Sequence, residues 1–141
     1  LYNQAGSLVN VWTNIAELPQ MKPVYTTEFT TRGHYSYIEF KSGVVTGSWT
    51  GAQKEIQVNK FDIKLEQPVF DWSLYGVLLA ALPFEQGKIF KIPIFDGIQS
   101  TNPVGFLIAD IVGQKLIGRY NTWEIKTNQN LVFWSQKKNH M

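Results

Sequence analysis

The sequence predicts an α+β fold in which two helices accompany about eight antiparallel strands within a single domain of residues 1–141. Aromatic residues make up 14% of the chain, and such residues favour strands. Short alternating segments are joined by brief glycine-containing links, which is typical of antiparallel neighbours. Two other segments have helical spacing, and each precedes a run of strands. This order favours α+β over a βαβ arrangement.

The N-terminal segment predicts an amphipathic helix. Its apolar residues recur at spacings of three and four, the pattern of one helix face. Pro19 ends the predicted helix, because the residue before a proline avoids the α conformation. The apolar face comprises Ala5, Leu8, Val9, Trp12, Ile15 and Ala16.

Four strands are predicted between this helix and the middle of the chain. Lys41-Ser42-Gly43 is typical of a hairpin link, and Arg32-Gly33 of a turn or bulge. In the fourth strand the alternation slips by one residue at Asn59-Lys60, which predicts a β-bulge. The predicted strands run from Val24 to Thr31, His34 to Phe40, Val44 to Thr50 and Glu55 to Leu65.

A central helix is predicted from Trp72 to Leu82. Asp71 is a suitable N-cap for this helix, and Pro83 ends it. The segment is apolar nearly all round, which predicts that it is buried on most sides, against or inside a sheet.

Four more strands follow the central helix. Gly113-Gln114 is predicted to form the tight turn between the second and third of them. Pro93 lies within the first and indicates an edge position or a bulge, because proline cannot donate a ladder hydrogen bond. The predicted strands run from Lys88 to Phe95, Val104 to Val112, Gln114 to Thr127 and Leu131 to Ser135.

Composition excludes several classes of function. The thirteen basic residues are scattered among eleven acidic ones, without the basic stripe that nucleic-acid binding requires. The lack of cysteine excludes disulfides, thiolate nucleophiles and zinc–thiolate sites. The longest apolar run, Gly76 to Leu82, is far shorter than the ~20 residues of a membrane-spanning helix. We therefore expect no nucleic-acid partner, no cofactor and no transmembrane segment, and the oligomeric state stays open.

Several short motifs resemble an uncharacterised family of exported bacterial proteins, a domain of unknown function. Pro68-Val69-Phe70-Asp71 leads into the central helix, Ile92-Pro93-Ile94-Phe95-Asp96 forms an extended segment, and Thr122-Trp123-Glu124-Ile125-Lys126 matches a later strand. Two features depart from the family pattern. Its strands that precede the first helix have no counterpart here, and its chains continue beyond the segment that Trp134 to Lys138 resembles.

The resemblance implies a strongly curved antiparallel sheet or open barrel that partly wraps a helix, similar to periplasmic lipoprotein carriers. It also implies an extracytoplasmic protein, periplasmic or outer-membrane-associated, from which a leader has been removed. It implies no activity.

Candidate catalytic and metal-binding groups are few. Histidine is the usual general base and metal ligand, and the chain has two. His34 follows a glycine turn and is predicted to be an exposed turn residue, and His140 lies next to the C-terminus. A serine nucleophile therefore lacks a credible base, and we predict no catalytic residue and no metal site.

Asp110 is the carboxylate that needs an explanation, because its strand is otherwise apolar on both faces. A buried carboxylate is costly unless it is paired. With a turn at Gly113-Gln114, Arg119 lies on the next strand and can reach Asp110 across the ladder. The sequence thus predicts a structural ion pair between them, or else a solvent-facing Asp110.

The tryptophans allow two interpretations. They can fill the core, since tryptophan is highly buried on average. Some of them can instead line an apolar cavity, where small lipophilic ligands bind. The candidates for such a lining are Trp49, Trp72 and Trp123.

The leading hypothesis is a non-enzymatic extracytoplasmic protein. It would bind a lipid, another hydrophobic small molecule or an apolar partner surface on the concave face of its sheet. The first alternative is a structural or interaction module of the cell envelope. The second is an unrecognised hydrolase that uses Asp110 or Glu39.

Overall fold

The computed structural model describes residues 9–51, 57–97 and 102–136. Strands account for 61% of these residues, accompanied by one 3₁₀ turn and one short α-helix. The strands are β1 (Asn10–Glu17), β2 (Lys22–Thr30), β3 (Tyr35–Lys41), β4 (Val44–Thr50), β5 (Val58–Lys64), β6 (Phe70–Asp71), β7 (Ile89–Phe95), β8 (Val104–Ile117), β9 (Tyr120–Thr127) and β10 (Val132–Ser135). The 3₁₀ turn is Trp72–Leu74, and the helix α1 is Tyr75–Ala81.

The chain divides into two compact units, each with its own sheet. The first unit spans Leu1–Val69 and Gly97–Pro103, and the second spans Phe70–Asp96 and Val104–Met141. Each sheet has five described strands, in the orders β1-β2-β3-β4-β5 and β10-β9-β8-β7-β6, and one of the two curls into a half-barrel. The expected curved β architecture is confirmed, and the strands pair antiparallel except for β6, which pairs parallel with β7. The expectation of one eight-stranded sheet is wrong.

The sheet of the first unit is a simple antiparallel meander. Sequential strands pair through short links, as expected when glycine and polar residues separate alternating segments. The predicted hairpin link Lys41-Ser42-Gly43 joins β3 and β4, and Gly43 has a φ of +73°. The bulge predicted at Asn59-Lys60 is wrong, because both residues pair in continuous register with β4.

The predicted N-terminal helix is wrong, because residues 10–17 form β1. Ala5 and Leu8 lie outside the described residues. A register shift between Ile15 and Ala16 interrupts the strand, and β1 is the last described strand at its edge of the sheet. Because of the register shift and the edge position, the apolar residues of β1 do not alternate regularly, as they would in a fully paired strand. Their spacing therefore matches that of one helix face.

The second unit contains a compact apolar core. Tyr75 and Leu79 of α1 pack against buried residues of β7, β8 and β9. Asp71 is buried and caps the 3₁₀ turn, since its Oδ1 accepts hydrogen bonds from the Ser73 N–H (2.9 Å) and hydroxyl (2.6 Å). The predicted cap and helical segment are confirmed. The expected burial on most sides is wrong, because Val77 is 53% exposed and only one helix face is covered.

The turn between β8 and β9 lies further along the chain than the sequence predicted, so β8 is longer and β9 shorter than expected. The turn lies at Gly118-Arg119, and the predicted turn at Gly113-Gln114 is wrong. A register shift between Ile111 and Gly113 marks a β-bulge. Gly113 therefore lies at a distortion within β8 and not at the end of the strand. Pro93 pairs with Phe106 of β8, while the short β6 covers only Ile94 and Phe95 on the other side of β7. Among the described residues, Pro93 therefore lies on a part of β7 that pairs on one side only, and the expected edge position is confirmed.

Candidate functional site

A pocket of about 320 Å³ opens at one end of the first unit. Three chain segments enclose it: the start of β2, the β3–β4 hairpin, and the chain that follows β5. The apolar side chains of the lining include Phe40 and Leu65, which are half-buried, and Val69, which is 6% exposed. The full lining is Lys22, Pro23, Phe40, Lys41, Ser42, Gly43, Leu65, Glu66, Gln67, Pro68 and Val69.

The shape of this pocket follows from one hydrogen bond and two prolines. The Leu65 N–H donates to the Gly43 carbonyl at 2.8 Å, which fixes the chain after β5 beside the β3–β4 hairpin. Pro23 and Pro68 place rigid rings without an N–H donor on the lining. At Pro23 and Pro68 the lining therefore presents apolar rings in place of backbone N–H donors.

Two lysines provide the positive charge of the pocket. Lys41 Nζ lies 2.8 Å from Glu39 Oε2, and Lys22 Nζ lies 3.6 Å from Glu17 Oε2. The hydrogen bond and charge of Glu39 raise the pKa of Lys41 above its ordinary value. Both lysine side chains are more than half exposed, so each can turn towards a ligand at low cost.

A larger and more open cleft, of about 570 Å³, lies in the second unit, at the β8 bulge. Gly113, with a φ of +150°, opens the strand opposite Gln86, and the half-buried Trp123 forms one wall. The Trp123 ring packs against Phe84, with a centroid distance of 5.8 Å. Glu124 lies 3.6 Å from the ammonium groups of both Lys115 and Lys126. This cleft is polar, and its carboxylate is already engaged by two cations.

The predicted tryptophan lining does not form one site. Trp49 is half-buried on β4 of the first unit, whereas Trp72 and Trp123 belong to the second unit. Trp72 is 44% exposed, and Trp123 packs against the apolar core. Of the three, only Trp123 lines one of the two pockets described above.

The structure does not bring Asp110 and Arg119 together. The ladder places Lys126 and Ile89 opposite Asp110, which is half-buried. Arg119 occupies the turn, where its guanidinium donates hydrogen bonds to the Tyr120 hydroxyl at 2.9 and 3.0 Å. The predicted pairing failed because it depended on a turn at Gly113-Gln114.

His34 is more enclosed than the sequence predicted. Its Nδ1 lies 2.6 Å from the Thr50 carbonyl and must donate to it, while Nε2 lies 3.6 Å from Glu28 Oε2. The expected exposed turn residue is therefore half-buried, in the link directly before β3. His140 lies outside the described residues. In the portion that the structure describes, no group of three or more potential ligands could hold a metal ion.

The candidate carboxylates of the hydrolase hypothesis lie in different units. Glu39 is on β3 of the first unit and is bonded to Lys41, and Asp110 is on β8 of the second.

The described helices include none that is long and apolar enough to cross a membrane.

Comparison of the sequence with known proteins identifies a family but no individual relative. A family model described as "Protein of unknown function (DUF3108)" matches residues 4–141. No curated protein and no solved structure matches the chain.

Proposed function

We propose that this chain, which belongs to the DUF3108 family of proteins of unknown function, is a non-enzymatic protein that binds a lipophilic carboxylate. The observation that carries the proposal is the pocket in the first unit, whose lining combines apolar side chains with two lysines and one glutamate, Glu66. Its volume of about 320 Å³ falls at the lower end of ligand sites, which span about 300–1,000 Å³. A fatty acid suits such a site, because its tail would contact Phe40 and Leu65 and its head Lys22 or Lys41.

The expected affinity follows from the burial of the tail. Each buried methylene contributes about 0.8 kcal/mol, so about ten of them supply about 8 kcal/mol. Association costs at least about 4 kcal/mol in lost freedom. These two figures leave about 4 kcal/mol, so the dissociation constant of dodecanoate should be about 1 mM.

The absence of catalysis and the location outside the cytoplasm are further parts of the proposal. The proposed absence of catalysis is supported by the sequence, which has two histidines and no cysteine. The proposed location is supported by the resemblance to exported proteins. Fractionation of a Gram-negative host that produces the full-length protein tests the location, and recovery with the cytoplasmic fraction would contradict it.

The binding proposal is tested by titration with dodecanoate, monitored by native mass spectrometry and by displacement of a fluorescent fatty acid. Lys22→Gln/Lys41→Gln should weaken binding about fivefold, since two exposed ion pairs contribute about 0.5 kcal/mol each. Leu65→Asn should weaken it further by placing a polar group in the apolar wall. Lys60→Gln is the matched control, because this exposed lysine of β5 does not line the pocket. Failure of dodecanoate to bind, or equal affinity in Leu65→Asn, would contradict the proposal.

A further inference from the structure

The β8–β9 hairpin extends beyond the strands on either side of it. We call the segment Lys115–Thr122 the distal hairpin. Pairing of β8 with the chain of β7 ends at Ile111, whose backbone bonds Gly87 and Lys88. The last described pair between β9 and β10 is Trp123 with Ser135. In the described chain the distal hairpin is thus a two-stranded arm with a free edge on both sides.

Exposed apolar side chains lie on both faces of the distal hairpin. Leu116 is 65% exposed and pairs with Asn121, while Ile117 and Tyr120 pair with each other and are 39% and 45% exposed. Because successive residues of a strand point to opposite faces, Leu116 lies on one face and Ile117 with Tyr120 on the other. A flat partner surface would cover one face only. An arm with exposed apolar side chains on both faces is suited to entering an apolar medium end-on.

The charge of the arm has one sign. Lys115 and Arg119 are its charged residues, and no acidic residue occurs between Ile111 and Trp123. Lys115 lies 3.6 Å from Glu124 at the base of the arm. Arg119 is at the tip and, among the described residues, has no carboxylate within ion-pair distance, so its guanidinium is available to an anion beyond the protein. Tyr120 beside it has an apolar ring and a polar hydroxyl, the combination enriched at membrane–water interfaces.

A glycine at the turn and a hydrogen bond at the base define the shape of the arm. Gly118 has a φ of +58°, the left-handed conformation that a two-residue hairpin turn needs at its first position. The buried Thr122 donates from Oγ1 to the Lys115 carbonyl at 2.9 Å, which ties the two strands together at the base. The tip residues are thus held in position before any partner arrives, and this lowers the entropic cost of binding.

We propose that the distal hairpin inserts shallowly into the surface of an anionic lipid bilayer. Leu116, Ile117 and Tyr120 enter the boundary between headgroups and acyl chains, and Arg119 binds the lipid phosphates. The charge complementarity of a cationic, carboxylate-free tip favours an anionic bilayer over a neutral surface. This inference is independent of the fatty-acid pocket, which lies in the other unit.

Vesicle flotation tests the inference, with vesicles of phosphatidylcholine alone or mixed with phosphatidylglycerol. The protein should float with the anionic vesicles, and binding should weaken as salt rises. Leu116→Ser/Ile117→Ser should abolish flotation, and Arg119→Gln should weaken it about fivefold, since one basic residue contributes about 1 kcal/mol at an anionic surface. Ile89→Ser is the matched control, because Ile89 is equally exposed at 65% but lies on β7.

Three results would overturn the inference. They are an absence of flotation, equal flotation with neutral vesicles, and flotation that survives Leu116→Ser/Ile117→Ser. Light scattering separates the competing occupants. If the wild type forms dimers without binding vesicles, and Leu116→Ser/Ile117→Ser disrupts those dimers, the arm is a contact between copies of the chain.

Discussion

The two units use similar sheets but stabilise them differently. In the second unit, α1 and three strands enclose a continuous apolar cluster in which Leu107, Ile111 and Ile125 are fully buried. In the first unit, the buried aliphatic side chains of the described residues are Ile38, Val45 and Val69. The hydroxyls of Thr26, Ser36 and Thr50 are buried beside them. Apolar burial therefore dominates the second unit, and hydrogen bonding contributes a larger share in the first.

This difference bears on the places where we propose that each unit binds. A sheet with few buried aliphatic side chains has low-stability segments at its ends, and binding loops are drawn from such segments. The pocket of the first unit lies at such an end, between a hairpin and a chain segment held by the Leu65–Gly43 hydrogen bond. The second unit instead provides a rigid base from which its distal hairpin projects.

The largest expected effect comes from the core of the second unit. Leu107→Ala should lower the free energy of unfolding by about 2–5 kcal/mol, because Leu107 is fully buried in the cluster. Leu116→Ala makes the same chemical change at a 65% exposed position and should cost less than about 0.5 kcal/mol. Urea unfolding followed by far-UV circular dichroism measures both. Similar costs for the two variants would show that the cluster does not carry the stability of this unit.

A smaller effect is expected from a buried hydroxyl of the first unit. Thr50 Oγ1 accepts a hydrogen bond from the Tyr35 N–H at 2.9 Å, and Thr50 is 6% exposed. Thr50→Val should cost about 1 kcal/mol, because the partly buried Tyr35 N–H loses its acceptor. Thr50→Ser keeps the hydroxyl and should restore most of the loss. The same urea experiment decides, and wild-type stability in Thr50→Val would contradict the proposed role of hydrogen bonding.

The smallest effect is a pH dependence that belongs to the second unit. Burial raises the pKa of Tyr75, and the hydrogen bond from Gln129 Nε2 at 3.1 Å partly opposes this. Above pH ~10 the unfolded chain loses this proton while the folded chain keeps it, so the unfolded state binds fewer protons. Stability should therefore fall as pH rises through this range.

Two variants isolate that contribution. Tyr75→Phe should make the fall in stability shallower than in the wild type between about pH 9 and pH 11, as measured by urea unfolding. Gln129→Ala should make it steeper, because the bond that favours the phenolate is lost. Parallel curves for all three proteins would remove Tyr75 as a source of the pH dependence.

Local signals in the sequence predicted local structure well. Gly43 marked the β3–β4 hairpin, and β4 runs from Val44 to Thr50 as predicted. Asp71 was identified as a cap from its place before an apolar segment. These features depend on a few neighbouring residues, so the sequence contains most of the information that determines them.

The errors arose where tertiary pairing overrode the local pattern. Residues 10–17 have helical spacing, but pairing with β2 makes them a strand. Gly113 was interpreted as a turn, although it forms a bulge that lets β8 continue to Ile117. Because the turn lies at Gly118-Arg119 and not at Gly113-Gln114, Arg119 is not opposite Asp110. For the same reason the sequence did not predict the distal hairpin.

The pocket could not be predicted from the sequence. Its walls come from residues 22–23, 40–43 and 65–69, three segments that only the strand register brings together. The one available signal was Leu65, where the apolar alternation of β5 continues past the end of the strand before Pro68.

Hydrogen exchange with and without dodecanoate, below its micelle concentration, tests the assignment of binding to the first unit most directly. The account predicts slower exchange at residues 40–43 and 65–69 in the presence of dodecanoate, because a ligand that binds only the folded state stabilises it. It predicts unchanged exchange in the distal hairpin, Lys115–Thr122. Protection confined to the second unit, or no protection anywhere at saturating dodecanoate, would contradict the account.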